Sequence, residues 1–108
     1  MADSAAEVTK EEFQEIINNG HKLVVVDFFA EWCMPCLMLS PVIDELAEEM
    51  KEVKFVKLNV DENQELAQGH SVSSIPCLII FKDGKEVDRL VGNQTGDDVK
   101  DKLNEHLQ

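Results

Sequence analysis

Residues 23–30 read Leu-Val-Val-Val-Asp-Phe-Phe-Ala, an apolar run rich in β-branched and aromatic side chains with no alternating polar face. Such a run predicts a strand buried on both sides in the middle of a sheet. It leads through Glu31 and Trp32 into Cys33-Met34-Pro35-Cys36, and then into Leu39, Ile43, Leu46, Ala47 and Met50, which recur at helical spacing. Another apolar strand is expected over 53–60, so strand, helix and strand make a right-handed parallel βαβ unit. The chain is thereby placed in the α/β class, with a pair of cysteines where the first strand hands over to the helix.

Those two thiols lie three residues apart, close enough to form a reversible intramolecular disulfide. Pro35 suits the first turn of a helix, where its missing N–H would have no partner. A helix start offers unpaired backbone N–H groups and a partial positive charge, which favour thiolate over thiol and lower the Cys33 pKa toward neutrality. Cys33 is therefore expected to attack, and Cys36, one turn in and more buried, to resolve the mixed disulfide. Two other readings of the pair are half of a zinc site and two plain core cysteines. A structural zinc site takes about four ligands, whereas this chain has one such pair, and His21, His70 and His106 follow no ligand spacing and read as surface or loop residues.

A chain of 108 residues with 44% apolar side chains can fill one core, and a single domain over 1–108 is expected. The net charge of −12 would be repelled by nucleic acid and by anionic membranes, so neither is expected as a partner. No basic segment followed by an apolar stretch opens the chain, and no apolar run reaches spanning length, which makes the cytoplasm the expected location. Three cysteines do not suit a disulfide-stapled secreted scaffold.

The remaining elements follow from local signals. Residues 1–6 are expected to be a loose end, with a short edge strand near Glu7 and Val8. Thr9 and Glu12 form a capping box flanked by Val8 and Phe13, and the helix they start has Phe13, Ile16 and Ile17 on its apolar face and ends at Asn18-Asn19-Gly20. Pro41 is expected to kink the long helix after the cysteines. A short helix over 61–69 is expected to be capped by Asp61 and ended by Gly69. A strand over 77–82, the hairpin signal Asp83-Gly84 and a returning strand over 86–91 add an antiparallel pair, so the sheet is mixed. Thr95 and Asp98 open a last helix whose Val99, Leu103 and Leu107 face inward. Asp27 stands alone in its apolar run, where desolvation raises a carboxyl pKa, unless its side chain reaches the surface.

Taken together, Val26-Asp-Phe-Phe-Ala-Glu-Trp-Cys-Met-Pro-Cys36, Pro41, Lys57 in Lys-Leu-Asn-Val-Asp, Ser74-Ile75-Pro76, Phe81-Lys-Asp-Gly84 and Val91-Gly92 resemble the thioredoxin family over nearly the whole chain. The resemblance implies a thioredoxin fold, in which a parallel βαβ unit and an antiparallel ββα unit share one sheet flanked by helices. It implies a thiol–disulfide oxidoreductase that reduces protein disulfides, with a redox-active disulfide and no cofactor, served by a thioredoxin-reductase-type electron donor and working as a monomer. It further implies that Asp27 sits behind Cys36 as its general acid/base, through a water, and that Lys57 lies near Asp27 and tunes its charge. Pro76 would be cis and packed against the cysteine pair. Trp32, Met34, Pro35, Ile75, Pro76 and Gly92 would line the docking groove, with the backbone before Pro76 pairing with a client peptide and Gly92 leaving room for it.

Three positions depart from the family pattern. Met34 stands where Gly is usual, Leu37 where a basic residue is usual, and Cys77 where Thr is usual. The first two make the rim more apolar and remove a cation, which implies altered partner choice or redox poise. Cys77 is read as a small buried side chain. If it lay beside the pair, Cys33, Cys36 and Cys77 could instead hold a metal or an iron–sulfur cluster. Glutaredoxin-like or isomerase-like exchange and a non-catalytic binding module are the other readings.

Overall fold

The computed structural model describes residues 5–108. Nine elements follow in order: β1 (Ala6–Glu7), α1 (Lys10–Ile17), β2 (Leu23–Phe29), α2 (Met34–Glu49), β3 (Val53–Asn59), α3 (Gln64–Gly69), β4 (Cys77–Lys82), β5 (Lys85–Val91) and α4 (Gly96–Leu107). The strands form one sheet in the order β1-β3-β2-β4-β5. β3 runs parallel to both β1 and β2, whereas β4 runs antiparallel to β2 and β5. The mixed thioredoxin sheet expected from sequence is therefore present, with β2 at its centre.

β2 is central because it has no face it could give to water. Val24, Val26 and Phe28 pack with Phe13 of α1, Leu66 and Ala67 of α3, and Cys77, Ile79 and Phe81 of β4. Leu23 and Val25 point the other way, joining Leu39, Ile43 and Leu46 of α2, Phe55 of β3, and Val99 and Leu103 of α4. The two-residue period of the strand thus sorts one apolar run into two cores. Asp27 falls on the α2 and α4 side, in line with Val25.

The helix signals hold at the ends of the chain. Thr9 and Thr95 each accept a hydrogen bond from the backbone three residues on, and Glu12 and Asp98 return it, giving capping boxes for α1 and α4. Asp83 and Gly84 both have positive φ, 55° and 80°, as a two-residue hairpin of primed type requires. α2 continues through Pro41 without interruption.

Other expectations need correction. Of the loose end over 1–6, residues 1–4 lie outside the described part, but Ala5 donates its N–H to Asp44 Oδ1 at 3.2 Å and Ala6 already belongs to β1. The edge strand is Ala6–Glu7, and Val8 adds a further backbone bond to the Lys57 carbonyl at 2.9 Å. Asp61 does not cap α3. Asn63 occupies the cap position without a side-chain cap bond, the Asp61 carboxylate is engaged elsewhere, and Asn59 Oδ1 accepts from the Asp61 and Glu62 N–H groups just before the helix. Gly69 is the last residue of α3, and the left-handed turn comes two residues later at Ser71, φ 58°. His70, the C-cap, is not a plain loop residue, for its ring stands edge-on to Phe13 and Phe81.

Candidate active site

The sheet delivers Cys33 at the carboxyl end of β2, where the chain turns into α2. Cys33 is the N-cap of that helix with an extended backbone, φ −89° and ψ 106°, and its Sγ accepts the Cys36 N–H at 3.2 Å. Pro35 lies in the first turn and needs no partner for a donor it lacks. Cys33 and Cys36 are joined as a disulfide with their Cα atoms 5.2 Å apart. Both are buried, 4% and 2% exposed, so burial alone barely separates them and the cap position is what distinguishes Cys33.

Around the pair the chain builds a small apolar nest. Ala30 packs directly with the two cysteines, and Phe29, Val60 and Ile75 close over it. The Ile75–Pro76 peptide is cis, and the Ile75 carbonyl oxygen lies 3.9 Å from Cys33 Sγ. The Gly92 N–H donates to the Pro76 carbonyl at 2.8 Å, tying the proline loop to the end of β5. Gly92 has φ +87°, and a Cβ built there would meet no atom of this chain within 4 Å. Its glycine is required by backbone conformation, and the space above it is open.

The rim is apolar and exposed. Trp32 is 72% exposed, Met34 64%, Leu37 51% and Met38 68%. Trp32 is nonetheless held, since its Nε1–H donates to Asp61 Oδ2 at 2.9 Å. That bond explains the failed cap: the carboxylate expected on α3 orients the indole beside Cys33 instead.

Asp27, on β2, is 1% exposed, which excludes the surface-reaching alternative. Its Oδ1 has no hydrogen-bond partner. Burial pushes its pKa from the ordinary 3.8 up to about 7, with Lys57 pulling it down and Asp44 pushing it further up. Lys57 stands directly opposite Asp27 in the β2–β3 ladder. Its ammonium, however, donates to Ser40 Oγ at 2.5 Å and pairs with Asp44 Oδ1 at 3.0 Å. Sequence reading missed Ser40 and Asp44; their spacing of one helical turn on α2 was the available signal.

Cys77 is 1% exposed and packs with Phe28, Ile79 and Phe81 on the α1 and α3 side of the sheet. Burial raises its pKa, partly offset by the positive charge of Arg89. The three sulfurs are therefore not brought together: Cys33 and Cys36 pack in one cluster and Cys77 in another. Among the described residues, the group of three side chains placed to share a metal ion is Asp88, Glu105 and His106, which contains no cysteine. There Asp88 already accepts from His106 at 2.9 Å and faces the Lys102 ammonium at 3.6 Å.

A buried cysteine pair at the helix that follows the central strand, closed over by a cis-proline loop, defines a thiol–disulfide oxidoreductase. Comparison with known proteins agrees. The family model for thioredoxin matches residues 4–105, and the chain belongs to the thioredoxin family. It is 48% identical to the thioredoxin of Chlamydia pneumoniae, covering 92% of this chain and 95% of that one. It is 44% identical to thioredoxin 2 of Chlorobaculum tepidum, covering 99% of each. The crystal structure of thioredoxin NaTrxh from Nicotiana alata superposes with a TM-score of 0.89 at 37% identity, covering 98% of this chain and 94% of that one. The protein is thus a protein-disulfide oxidoreductase, and members of its family act with disulfide substrates and reductases. No helix among the described residues is long and apolar enough to cross a membrane.

Proposed function

We propose that Cys33 is the attacking thiol and Cys36 the resolving thiol of a cycle that reduces client-protein disulfides. The observation that carries this order is the Cys36 N–H donating to Cys33 Sγ from the first turn of α2. In the reduced pair that donor and the helix dipole favour negative charge on Cys33. The Cys33 thiolate attacks one sulfur of the client disulfide, forms an S–S bond to it and expels the other client sulfur, which takes up a proton. Cys36 then gives its proton to Asp27 and attacks Cys33 Sγ. The 33–36 disulfide forms and the second client thiolate leaves, protonated in turn. Two electrons have passed from the pair to the client.

Asp27 suits the role of proton carrier because a carboxyl poised near neutrality can both take and return a proton. Lys57 tunes its charge from the neighbouring strand. Trp32, Met34, Pro35, Ile75, Pro76 and Gly92 form the docking rim, where an extended client segment adds to the Ile75 backbone as a strand. The 108 residues work as one domain and as a monomer, with the disulfide in place of a cofactor. A thioredoxin-reductase-type donor returns the electrons, and the cytoplasm is the compartment in which this reducing cycle operates.

Replacing Cys36 by Ser tests the order of attack. A disulfide client mixed with Cys36→Ser should accumulate as a covalent adduct on Cys33, found by peptide mapping without reductant. An adduct forming equally fast on Cys36 in Cys33→Ser would overturn it.

A further inference from the structure

Strand pairing places a lysine beside the buried acid, yet the two are not partners. Asp27 and Lys57 occupy matched positions of the parallel β2–β3 ladder, where neighbouring strands are about 4.8 Å apart. Both lie on the side covered by α2 and α4. An ammonium there would ordinarily pair with the acid, since charges attract more strongly away from water. Lys57 Nζ instead donates to Ser40 Oγ and pairs with Asp44 Oδ1, two acceptors one turn apart on α2. The Ala5 N–H binds the same Asp44 oxygen and anchors that carboxylate from the start of the chain. Asp27 Oδ1 is left without a partner.

We propose that Ser40 and Asp44 are positioning residues for disulfide exchange: by holding the Lys57 ammonium on α2, they keep it from neutralising Asp27. The inference rests on the reading of Asp27 as proton carrier for Cys36, and adds how that carrier is kept fit. A carboxylate paired with an ammonium gives up its proton readily and takes it back poorly, whereas an unpaired buried one does both near neutrality. Each element around Asp27 fits this account. β3 presents Lys57, and α2 presents Asp44, whose like charge opposes ionisation of Asp27. β4 places apolar Leu78 opposite it, with the Cys77 thiol on the other face within its field. α4 contributes apolar Val99 and Leu103 to this side.

The test is titration of the Asp27 side-chain carboxyl by carbon NMR in the oxidised protein, where neither Cys33 nor Cys36 titrates. Asp44→Asn should lower the Asp27 midpoint by about one pH unit, as an opposite charge brought close does. Ser40→Ala should lower it by less, and Ser40→Thr, which restores a hydroxyl, should return it to the parent value. In a Lys57→Gln background most of the Asp44→Asn shift should vanish, because Asp44 is argued to act through the lysine. An unmoved midpoint in Asp44→Asn, or an equal shift with and without Lys57, would overturn the proposal. A separate measurement isolates the reading beneath it: if Asp27→Asn leaves the pH profile of exchange unchanged, Asp27 is not the carrier, and the oxidised-state titration still reports whether Ser40 and Asp44 hold the lysine.

Discussion

At the scale of single residues, the proton-carrier role proposed for Asp27 stands against its cost to the fold. An Asn of the same shape in a buried apolar site would suffer no ionisation penalty, so the carboxyl is costly to keep. In the unfolded chain Asp27 ionises near its ordinary 3.8, and in the folded protein only near 7. Between those values the folded state binds the extra proton, so stability falls as pH rises through the window and levels off above it. At about 1.4 kcal/mol per pH unit, the cost at the upper end is on the order of 4 kcal/mol. Asp27→Asn should therefore be more stable than the parent in denaturant titrations near pH 8, and the gain should shrink toward pH 4. A gain independent of pH would mean that the carboxyl ionises normally in the fold. The desolvation of Asp27 was legible in the sequence because the run around it is unbroken. The placement of the Lys57 ammonium was not, since it depends on which face of α2 meets β3, and no pattern within β3 encodes that.

Among the elements, the ones that formed as expected carry self-contained signals. The capping boxes at Thr9 and Thr95 and the Asp83-Gly84 hairpin are each decided within four residues. α3 was misjudged at its start because that boundary is set from outside: Trp32 takes the Asp61 carboxylate, and Asn59 Oδ1 accepts from the Asp61 and Glu62 N–H groups, whereas its end at Gly69 is as expected. The lesson extends to Cys77, whose side of the sheet follows from β4 register and from its neighbour Phe28 across the ladder, not from its distance along the chain to Cys33. Because the Thr95 cap is exposed and local, Thr95→Ala should destabilise the protein by about 1 kcal/mol in denaturant unfolding, with exchange activity unchanged. A loss of activity without a loss of stability would show that α4 does more than cover the core.

For the whole molecule, fold and charge divide the work. The sheet order puts the carboxyl end of β2 and the start of β4 together, so Cys33 and the Ile75–Pro76 loop meet although 42 residues separate Cys33 from Ile75. That meeting was legible only through family resemblance, because long-range pairing leaves no local trace. The rim around the pair carries exposed apolar side chains, while the protein as a whole carries −12. Electrostatic steering by that field should favour cationic clients and fade as salt shortens its range to about 10 Å at 0.1 M. Measured as kcat/KM, reduction of a cationic disulfide peptide should slow as salt is added, while a neutral one of similar size should respond little. Equal responses would place recognition in the apolar rim alone.

Cys33 and Cys36 are expected to act as one two-electron pair from which Cys77 is separate. A redox titration in dithiol buffers, with alkylation and peptide mass mapping of the free thiols at each potential, measures this. The expected result is a single two-electron transition in which Cys33 and Cys36 oxidise together at a strongly reducing potential while Cys77 stays free throughout. A pair that resists oxidation, or a bridge that includes Cys77, would contradict it.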